Sequence, residues 1–207
     1  MADSPTLEAF AEAVAAASPA PAGGAVAAVA ASLAAALAGM VARLALAKAA
    51  GEARLSLTSL VESSDRLRVR LLELATEDEV AYRAVVEARR ARDQTALEAA
   101  WRRAAHVPAE VVRLCREVAQ LAHRTARDGP PAVVGDAVMA ALLAAAAAAG
   151  SQLNLRLNVQ AAGGPPLLRI LADNTGIVLR EAQRAAADAR LVAEERLTSG
   201  GAPAKRG

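Results

Sequence analysis

The sequence predicts an all-α protein, a bundle of long, alanine-rich helices. Alanine, the residue with the highest intrinsic helix propensity, supplies 59 of the 207 residues. Strand formers are scarce, with one Phe, one Tyr and one Trp in the whole chain, which argues against a sheet protein. Disorder is excluded as well, because the chain is 55% hydrophobic and its formal net charge is only +2. We assign residues 1–198 to a single helical domain and 199–207 to a disordered tail.

Capping and turn residues place the first three helices. The Asp-Ser-Pro stretch at residues 3–5 offers a cap and a first-turn proline, so it predicts a first helix that ends near Ser18. The Pro- and Gly-rich stretch 19–24 is a loop, and a second helix is expected from about 24 to 49. A third, very long helix is expected over about 51–92, because apolar residues recur there at helical spacing.

Proline and glycine also divide the second half of the chain. Pro108 is typical of a helix start, and Gly150 interrupts an Ala-rich helical stretch. The Gly-Gly-Pro-Pro sequence at 163–166 is a clear break before the last helix. We therefore expect helices over 95–105, 108–128, 135–149, 151–160 and 167–197.

Two long runs carry almost no charge and are long enough to cross a membrane. They cover residues 13–42 and 129–155, and the second is broken only by Asp136. Both consist mostly of alanine and contain few large apolar side chains to drive membrane insertion. We therefore expect helices that are buried in a bundle or in a subunit interface, and no membrane partner.

Charge, cysteine content and histidine spacing limit the partners, compartment and metal sites that we expect. The 24 basic and 22 acidic residues are too balanced to predict a nucleic-acid surface. Cys115, the lone cysteine, fits a reducing compartment, and residues 1–12 carry acidic side chains in place of a basic signal region. We expect a cytoplasmic protein in which Cys115 is a buried small hydrophobe. His106 and His123 have no partners at metal-ligand spacing, so no metal site is expected.

Asp78 and Asp136 are carboxylates in apolar surroundings. Asp78 lies four residues after Leu74 and four before Tyr82, on the apolar stripe of the third helix. A carboxylate there is unfavourable unless it is paired or protonated, so a functional and a structural role are equally supported. Asp136 is the only charge in its run, and a helix N-terminal position explains it better than a site does.

Other polar positions leave two interpretations each. The amides of Asn154 and Asn158, four residues apart on one helix face, either bind a planar heterocycle or bridge to a neighbouring helix. Lys48 either binds an anion or complements the end of the second helix. Gly23 and Gly24 offer backbone N–H groups to a carboxylate or phosphate, although the sequence of a P-loop is missing.

Several of these segments, taken in order, resemble the cyclodeaminase/cyclohydrolase family. This family includes the C-terminal domain of formiminotransferase-cyclodeaminase and stand-alone methenyltetrahydrofolate cyclohydrolases. The resemblance begins with Ser-Pro-Ala-Pro-Ala-Gly-Gly-Ala-Val-Ala-Ala at 18–28 and spans roughly residues 5–195. The later matching segments are 40–44 with Lys48, 77–82, 107–108, 135–137 and 154–158.

The resemblance implies an all-helical homodimer that binds a folate and acts on the one-carbon unit between N5 and N10 of tetrahydrofolate. In one direction N10 attacks the formimino carbon and ammonia leaves; in the other, water opens the methenyl bridge. Neither requires a metal, a cofactor or a covalent nucleophile. Asp78 is then expected to be the general acid/base, and Asp136 to bind the pterin N–H edge or to assist the proton transfer.

The same resemblance assigns substrate contacts. Asn154 and Asn158 would orient the pterin. Lys48 and the Gly23–Gly24 helix start would face the glutamate carboxylates. Pro21 and Tyr82, which belong to the matching segments, complete the expected binding residues.

Four positions depart from the family pattern and keep an alternative open. Ala22 and Ala25 replace Gly and Ser, Thr76 stands where a second acid is common, and Gly135 replaces Ser. The alternative is a divergent non-catalytic or altered-ligand binding protein on the same helical fold. A purely structural helical protein is a third interpretation, which leaves Asp78 and Asp136 unexplained. The residues do not separate the deaminase from the hydrolase.

Overall fold

The computed structural model describes residues 6–200 and contains no strand in that range, which confirms the all-α prediction. A short 3-10 turn, Pro131–Val133, precedes the fifth helix. The six α-helices are α1 (Leu7–Ala15), α2 (Gly23–Leu46), α3 (Gly51–Ala91), α4 (Gln94–Asp128), α5 (Val134–Ala161) and α6 (Pro166–Gly200).

The outermost predicted boundaries differ from the structure or lie outside it. The predicted cap at residues 3–5 lies outside the described residues. Thr6 caps α1 instead, with its Oγ1 accepting a hydrogen bond from the Ala9 amide at 3.2 Å. This helix ends at Ala15, short of Ser18. At the other end, α6 extends to Gly200, and the rest of the predicted tail, 201–207, lies outside the described residues.

The prediction of separate helices before and after Pro108 is wrong. One helix, α4, continues through this residue and begins at a cap formed by Asp93, whose carboxylate accepts from the Ala96 amide at 2.9 Å. Proline removes one backbone donor, which leaves the carbonyl of Ala104, four residues earlier, without its helical partner. The side-chain amide of Asn158 supplies the missing donor, with Nδ2 2.6 Å from the Ala104 oxygen.

Gly150 likewise does not divide α5, which runs unbroken from Val134 to Ala161. A glycine in a helix interior costs only about 1 kcal/mol relative to alanine. The six preceding alanines and the packing of α5 against α2, α4 and α6 outweigh that cost.

Helix α2 lies in the core and packs against α3, α4 and α5. Its small side chains allow close helix approach, and residues from Ala25 to Ala42 along one face are fully or nearly fully buried. Helix α2 and the segment Pro131–Ala161 are the two described stretches long and apolar enough to cross a membrane. The burial of 61% of the α2 window agrees with the prediction of a bundle helix. The second window is 39% buried, so much of its apolar surface is exposed.

Helices α3 and α4 are held in register by Arg70. Its Nε and Nη2 atoms donate to the two carboxylate oxygens of Glu110 at 2.9 and 3.0 Å. Its Nη1 atom donates to Glu77 at 2.6 Å and to Glu73 at 3.0 Å. These hydrogen bonds raise the pKa of Arg70 and lower that of Glu110. The network fixes the part of α3 that contains Asp78.

Candidate functional site

Most of the predicted polar residues meet in one cleft, which we call the Asp78 cleft. It lies where the start of α2 meets the middle of α3, the first half of α4 and the last part of α5, and its volume is about 260 Å³. The residues that line it include Ala22, Gly23, Gly24, Asp78, Glu79, Tyr82, Val85, Arg89, Trp101, Ala104, Asn154, Leu157 and Asn158.

The Asp78 carboxylate packs directly against the first turn of α2. A Cβ atom built on Gly24 would lie 2.5 Å from Asp78 Cγ and would overlap both carboxylate oxygens, so only glycine fits there while Asp78 keeps this position. The backbone amide of Ala25 faces this carboxylate and favours its ionised form. Ala22, the N-cap residue of α2, has no side chain that could cap the helix. Asp78 therefore caps α2 from a neighbouring helix, where the helix dipole favours negative charge.

The environment of Asp78 raises its pKa above the usual value of 3.8. Burial is the main cause, and the negative charge of Glu79 adds to it, whereas the Ala25 amide acts in the opposite direction. Its two acidic neighbours are paired: Glu77 binds Arg70 at 2.6 Å, and Glu79 binds Arg83 at 3.0 Å. Among residues 6–200, no cation lies within ion-pair distance of Asp78. A carboxyl group with a raised pKa can both donate and accept a proton closer to neutral pH.

Asn154 and Asn158 form the opposite wall. Asn154 Nδ2 would lie 3.6 Å from a Cβ on Gly23, so its amide covers the start of α2. Asn158 bridges to α4 through its bond to Ala104, as one of the two interpretations of the sequence predicted. This bond fixes the direction of the amide and leaves Asn158 Oδ1 as an acceptor for a ligand in the cleft.

Tyr82 and Pro21 occupy different positions relative to the cleft. Tyr82 lies one helical turn after Asp78, lines the cleft and is 41% exposed. Pro21 belongs to the loop before α2 but does not itself line the cavity, whereas its neighbours Ala20 and Ala22 do.

Lys48 and Asp136 lie at the opposite end of the bundle. Helices α2 and α5 run antiparallel, because the start of α2 meets Asn154 near the end of α5. Lys48 lies 24 residues beyond Gly24, or about 36 Å along the helix axis, and Asp136 lies 18 residues, or about 27 Å, before Asn154. Asp136 is half-buried in the first turn of α5, which agrees with the favoured interpretation as a helix N-terminal residue. Within one chain, neither residue reaches the Asp78 cleft.

The order of matching segments along the chain is that of a known family. Residues 6–163 match the family described as formiminotransferase-cyclodeaminase. The chain is also 32% identical over 170 residues, 77% of its own length and 82% of the relative's, to methenyltetrahydrofolate cyclohydrolase of Methylorubrum extorquens. The chain belongs to the formiminotransferase-cyclodeaminase family. The family resemblance inferred from the sequence is thereby confirmed.

A solved member of this family has the same fold. The crystal structure of formiminotetrahydrofolate cyclodeaminase from Thermotoga maritima superposes with a TM-score of 0.79 and 26% sequence identity. The match covers 94% of this chain and 96% of that chain. It therefore extends into α6, which lies beyond the residues matched to the family.

Sequence reasoning missed Val85, Arg89 and Trp101 as cleft residues. The first two follow Asp78 and Tyr82 at helical spacing on one face of α3, so extending the stripe from Asp78 would have found them. Trp101 is the only tryptophan, and the guanidinium carbon of Arg89 lies 5.0 Å from the centre of its ring. This cation–π pair joins the end of α3 to the start of α4.

Proposed function

We propose that this protein acts on the one-carbon unit between N5 and N10 of tetrahydrofolate, as a methenyltetrahydrofolate cyclohydrolase or a formiminotetrahydrofolate cyclodeaminase. The observation that carries the proposal is Asp78, a largely buried carboxyl group without a cation partner in the described chain, facing a cleft with two side-chain amides. The relatives named above, one of each activity, define the reaction class.

Asp78 is the proposed general acid/base. In the hydrolase direction, ionised Asp78 takes a proton from water as its oxygen bonds to the methenyl carbon. Protonated Asp78 then gives that proton to N5 as the carbon–N5 bond breaks, and the new hydroxyl loses its proton to solvent, which leaves the formyl group on N10. In the deaminase direction, N10 bonds to the carbon of the protonated formimino group and loses its proton to ionised Asp78. Protonated Asp78 then gives that proton to the departing nitrogen, which leaves as ammonia as the methenyl cation forms between N5 and N10. A positioned acid/base contributes about 10²–10⁴-fold in rate.

The amides of Asn154 and Asn158 are proposed to hold the pterin. A pterin edge presents both N–H donors and nitrogen or oxygen acceptors, and an amide matches both. The absence of a side chain at Gly23 leaves room for a flat ring next to Asp78, whereas the space beside Gly24 is filled by the Asp78 carboxyl group. These steps use side chains and water, so the proposal includes no bound cofactor.

The four departures from the family pattern leave this machinery in place. Thr76 is exposed and does not line the cleft, and Gly135 lies at the far end of α5. Ala25 lacks a hydroxyl, yet its contribution to Asp78 is made by the backbone amide, which every residue except proline provides. Only Ala22 places an extra methyl group in the cleft wall. Within one chain, these positions therefore leave the carboxyl group and the two amides of the cleft unchanged.

A second copy of the chain is the proposed partner, seated on the exposed apolar face of α2 and α5. Eight large apolar residues on this face are each 37–57% exposed. With about 200 Å² per residue, they offer roughly 700 Å² per copy, close to the roughly 800 Å² of a standard interface. They are Val26, Leu33, Met40, Leu44, Met139, Leu142, Leu153 and Leu157.

An antiparallel pair would account for Lys48 and Asp136. Leu157 belongs both to the apolar face and to the wall of the Asp78 cleft, so a partner on this face would border the cleft. Antiparallel packing would place the Lys48 and Asp136 end of one copy at the cleft of the other. Mixing Asp78→Asn with Asp136→Asn chains should then restore turnover that neither variant has alone. Failure to restore it in a verified mixed dimer would assign Asp136 to its own helix only.

The activity is tested by offering 5-formiminotetrahydrofolate and 5,10-methenyltetrahydrofolate separately and following the methenyl chromophore. Appearance of the chromophore from the first identifies a cyclodeaminase, and accelerated loss from the second alone identifies a cyclohydrolase. No change with either, from a folded protein, would refute the enzyme proposal and favour the altered-ligand alternative. We place this activity in the cytoplasm, as expected from the lone cysteine.

A further inference from the structure

A second cavity adjoins the Asp78 cleft and has no role in the chemistry proposed above. This cavity, the α4–α6 groove, has a volume of about 900 Å³ and lies between the first turns of α4, the end of α5 and the start of α6. Arg89 and Trp101 line both cavities, so they form the boundary between the two. A ligand that leaves the cleft past Trp101 enters the groove.

Within one chain, the volume of the cleft suits part of a folate and not the whole molecule. Its volume of about 260 Å³ is below the lower end, about 300 Å³, of pockets that bury a drug-sized ligand. A pterin is only part of the substrate, and the p-aminobenzoyl-glutamate half must continue elsewhere. The α4–α6 groove is the adjoining space with enough volume for it.

The chemistry of the groove matches an aromatic ring that carries carboxylates. Leu97, Trp101, Leu168 and Ile170 form an apolar wall, and the last of these is 56% exposed although it is a large apolar residue. Such a side chain gains stability when an aromatic ligand covers it.

The groove also carries cations. Arg89 and Arg102 line it, against one carboxylate, that of Glu98. Neither arginine forms an ion pair with any carboxylate among the described residues. Arg102 donates only to the backbone carbonyl of Glu98, at 3.4 Å. Its positive charge therefore remains available for the carboxylates of a ligand.

We infer that the α4–α6 groove binds the p-aminobenzoyl-glutamate half of the substrate, with the ring against Trp101 and Ile170 and the glutamate carboxylates toward Arg102. The inference rests on the proposed function, because the pterin must occupy the Asp78 cleft. It makes Arg102 a specificity-determining residue for substrates with a glutamate tail.

Trp101 provides a direct test, because it is the only tryptophan and lines this groove, while the fragment used lacks the pterin proposed for the Asp78 cleft. The full chain is titrated with p-aminobenzoyl-glutamate while tryptophan fluorescence is followed. We expect a saturable change, and about tenfold weaker binding of p-aminobenzamide, which lacks the glutamate. No saturable change, or equal affinity for both fragments, would overturn the inference.

Two matched variants test whether Arg102 supplies the charge that binds the glutamate carboxylates. Arg102→Gln should weaken binding of p-aminobenzoyl-glutamate about tenfold and leave that of p-aminobenzamide unchanged. Arg103→Gln removes the adjacent exposed arginine, which does not line the groove, and should change neither. Equal effects of the two variants would show general electrostatic attraction and contradict a built site.

The fragment titration also separates this inference from the proposed function. Turnover of either folate with an unchanged KM in Arg102→Gln would leave the enzyme proposal standing and refute the groove. If Arg102→Gln weakens fragment binding and Arg103→Gln does not, but neither folate is turned over, the groove inference stands and the enzyme proposal is refuted.

Discussion

Gly24→Ala displaces the Asp78 carboxyl group without removing it. The new Cβ would lie 2.5 Å from Asp78 Cγ, whereas ordinary contacts of a Cβ atom are 3.4–4 Å. The carboxyl group must therefore move by about 1 Å, away from the Ala25 amide and from its position in the cleft. A misplacement of about 1 Å at a reacting group costs about 10²-fold in rate. If Asp78 is the acid/base, the rate should fall by about 10²–10⁴-fold.

The effect of Gly24→Ala on stability should be small. Alanine favours a helix over glycine by about 1 kcal/mol. The loss of the Asp78 cap costs about 0.5–2 kcal/mol. Because these contributions oppose each other, the free energy of unfolding should change by about 1 kcal/mol or less. A large loss of turnover with nearly unchanged stability would then identify a positional effect on Asp78.

Two further glycine variants make this test specific. The assay measures kcat on the folate substrate together with the free energy of unfolding from denaturant titration. Gly176→Ala, in α6 and outside the cleft, brings its Cβ to an ordinary 3.6 Å from Gln152 Nε2 and should keep full activity. Gly23→Ala meets Asn154 Nδ2 at 3.6 Å and no carboxylate, so its loss should be smaller than that of Gly24→Ala. A folded Gly24→Ala variant with kcat within a factor of about three of the wild type would refute the assignment of Asp78.

Three other predictions address the same region and the core. Asp78→Asn should abolish turnover and keep the helical fold. The pKa of Asp78 is raised in the folded state, so its stabilising contribution is fully present below pH 3.8 and is lost as pH rises through the folded pKa. The free energy of unfolding of the wild type should therefore fall relative to that of Asp78→Asn as pH rises over this range. Parallel curves would contradict the raised pKa. Pro108→Ala returns a backbone donor to the Ala104 carbonyl, so the free energy of unfolding should rise by about 1–2 kcal/mol. The new donor competes with the Asn158 amide for this carbonyl, so KM should rise severalfold. An unchanged KM would show that the direction of the Asn158 amide is irrelevant. Burial raises the pKa of the Cys115 thiol to about 12, so a thiol reagent at neutral pH should react only at the rate of unfolding, and fast reaction of the native protein would disprove its burial.

The sequence predicted helices correctly where the local pattern determines them. It failed to predict the continuous helix α4, which depends on a residue distant in the chain. Alanine content and apolar spacing were sufficient for α2, α3 and α6. At Pro108 the local rule predicted a helix start, because it does not include a donor 50 residues away. Asn158 provides that donor and makes the continuous helix possible. The two interpretations of Asn158 are thus compatible, since the bridge to α4 also orients the amide in the cleft.

The candidate site was likewise predicted only in part. Asp78 was identified because a carboxylate on an apolar stripe contradicts the helical pattern, and the structure places it at the centre of the cleft. Lys48 and Asp136 share the same family segments but lie about 27 Å or more from the cleft along their helices, which no spacing along one helix reveals. Trp101 was missed because it reaches the cleft from another helix, where it pairs with Arg89.

The two roles of Asp78, structural and functional, depend on one geometry. Helix α2 begins at Ala22, which offers no side-chain cap, so the Ala25 amide is left for a carboxylate from α3. This amide favours the ionised form, whereas burial favours the protonated form, and burial has the larger effect. A carboxyl group held between these opposing influences can exchange a proton closer to neutral pH, as a proton-transferring residue requires. The structural role of Asp78 and its proposed catalytic role are therefore compatible, since the contact with the start of α2 also holds the carboxyl group in the cleft.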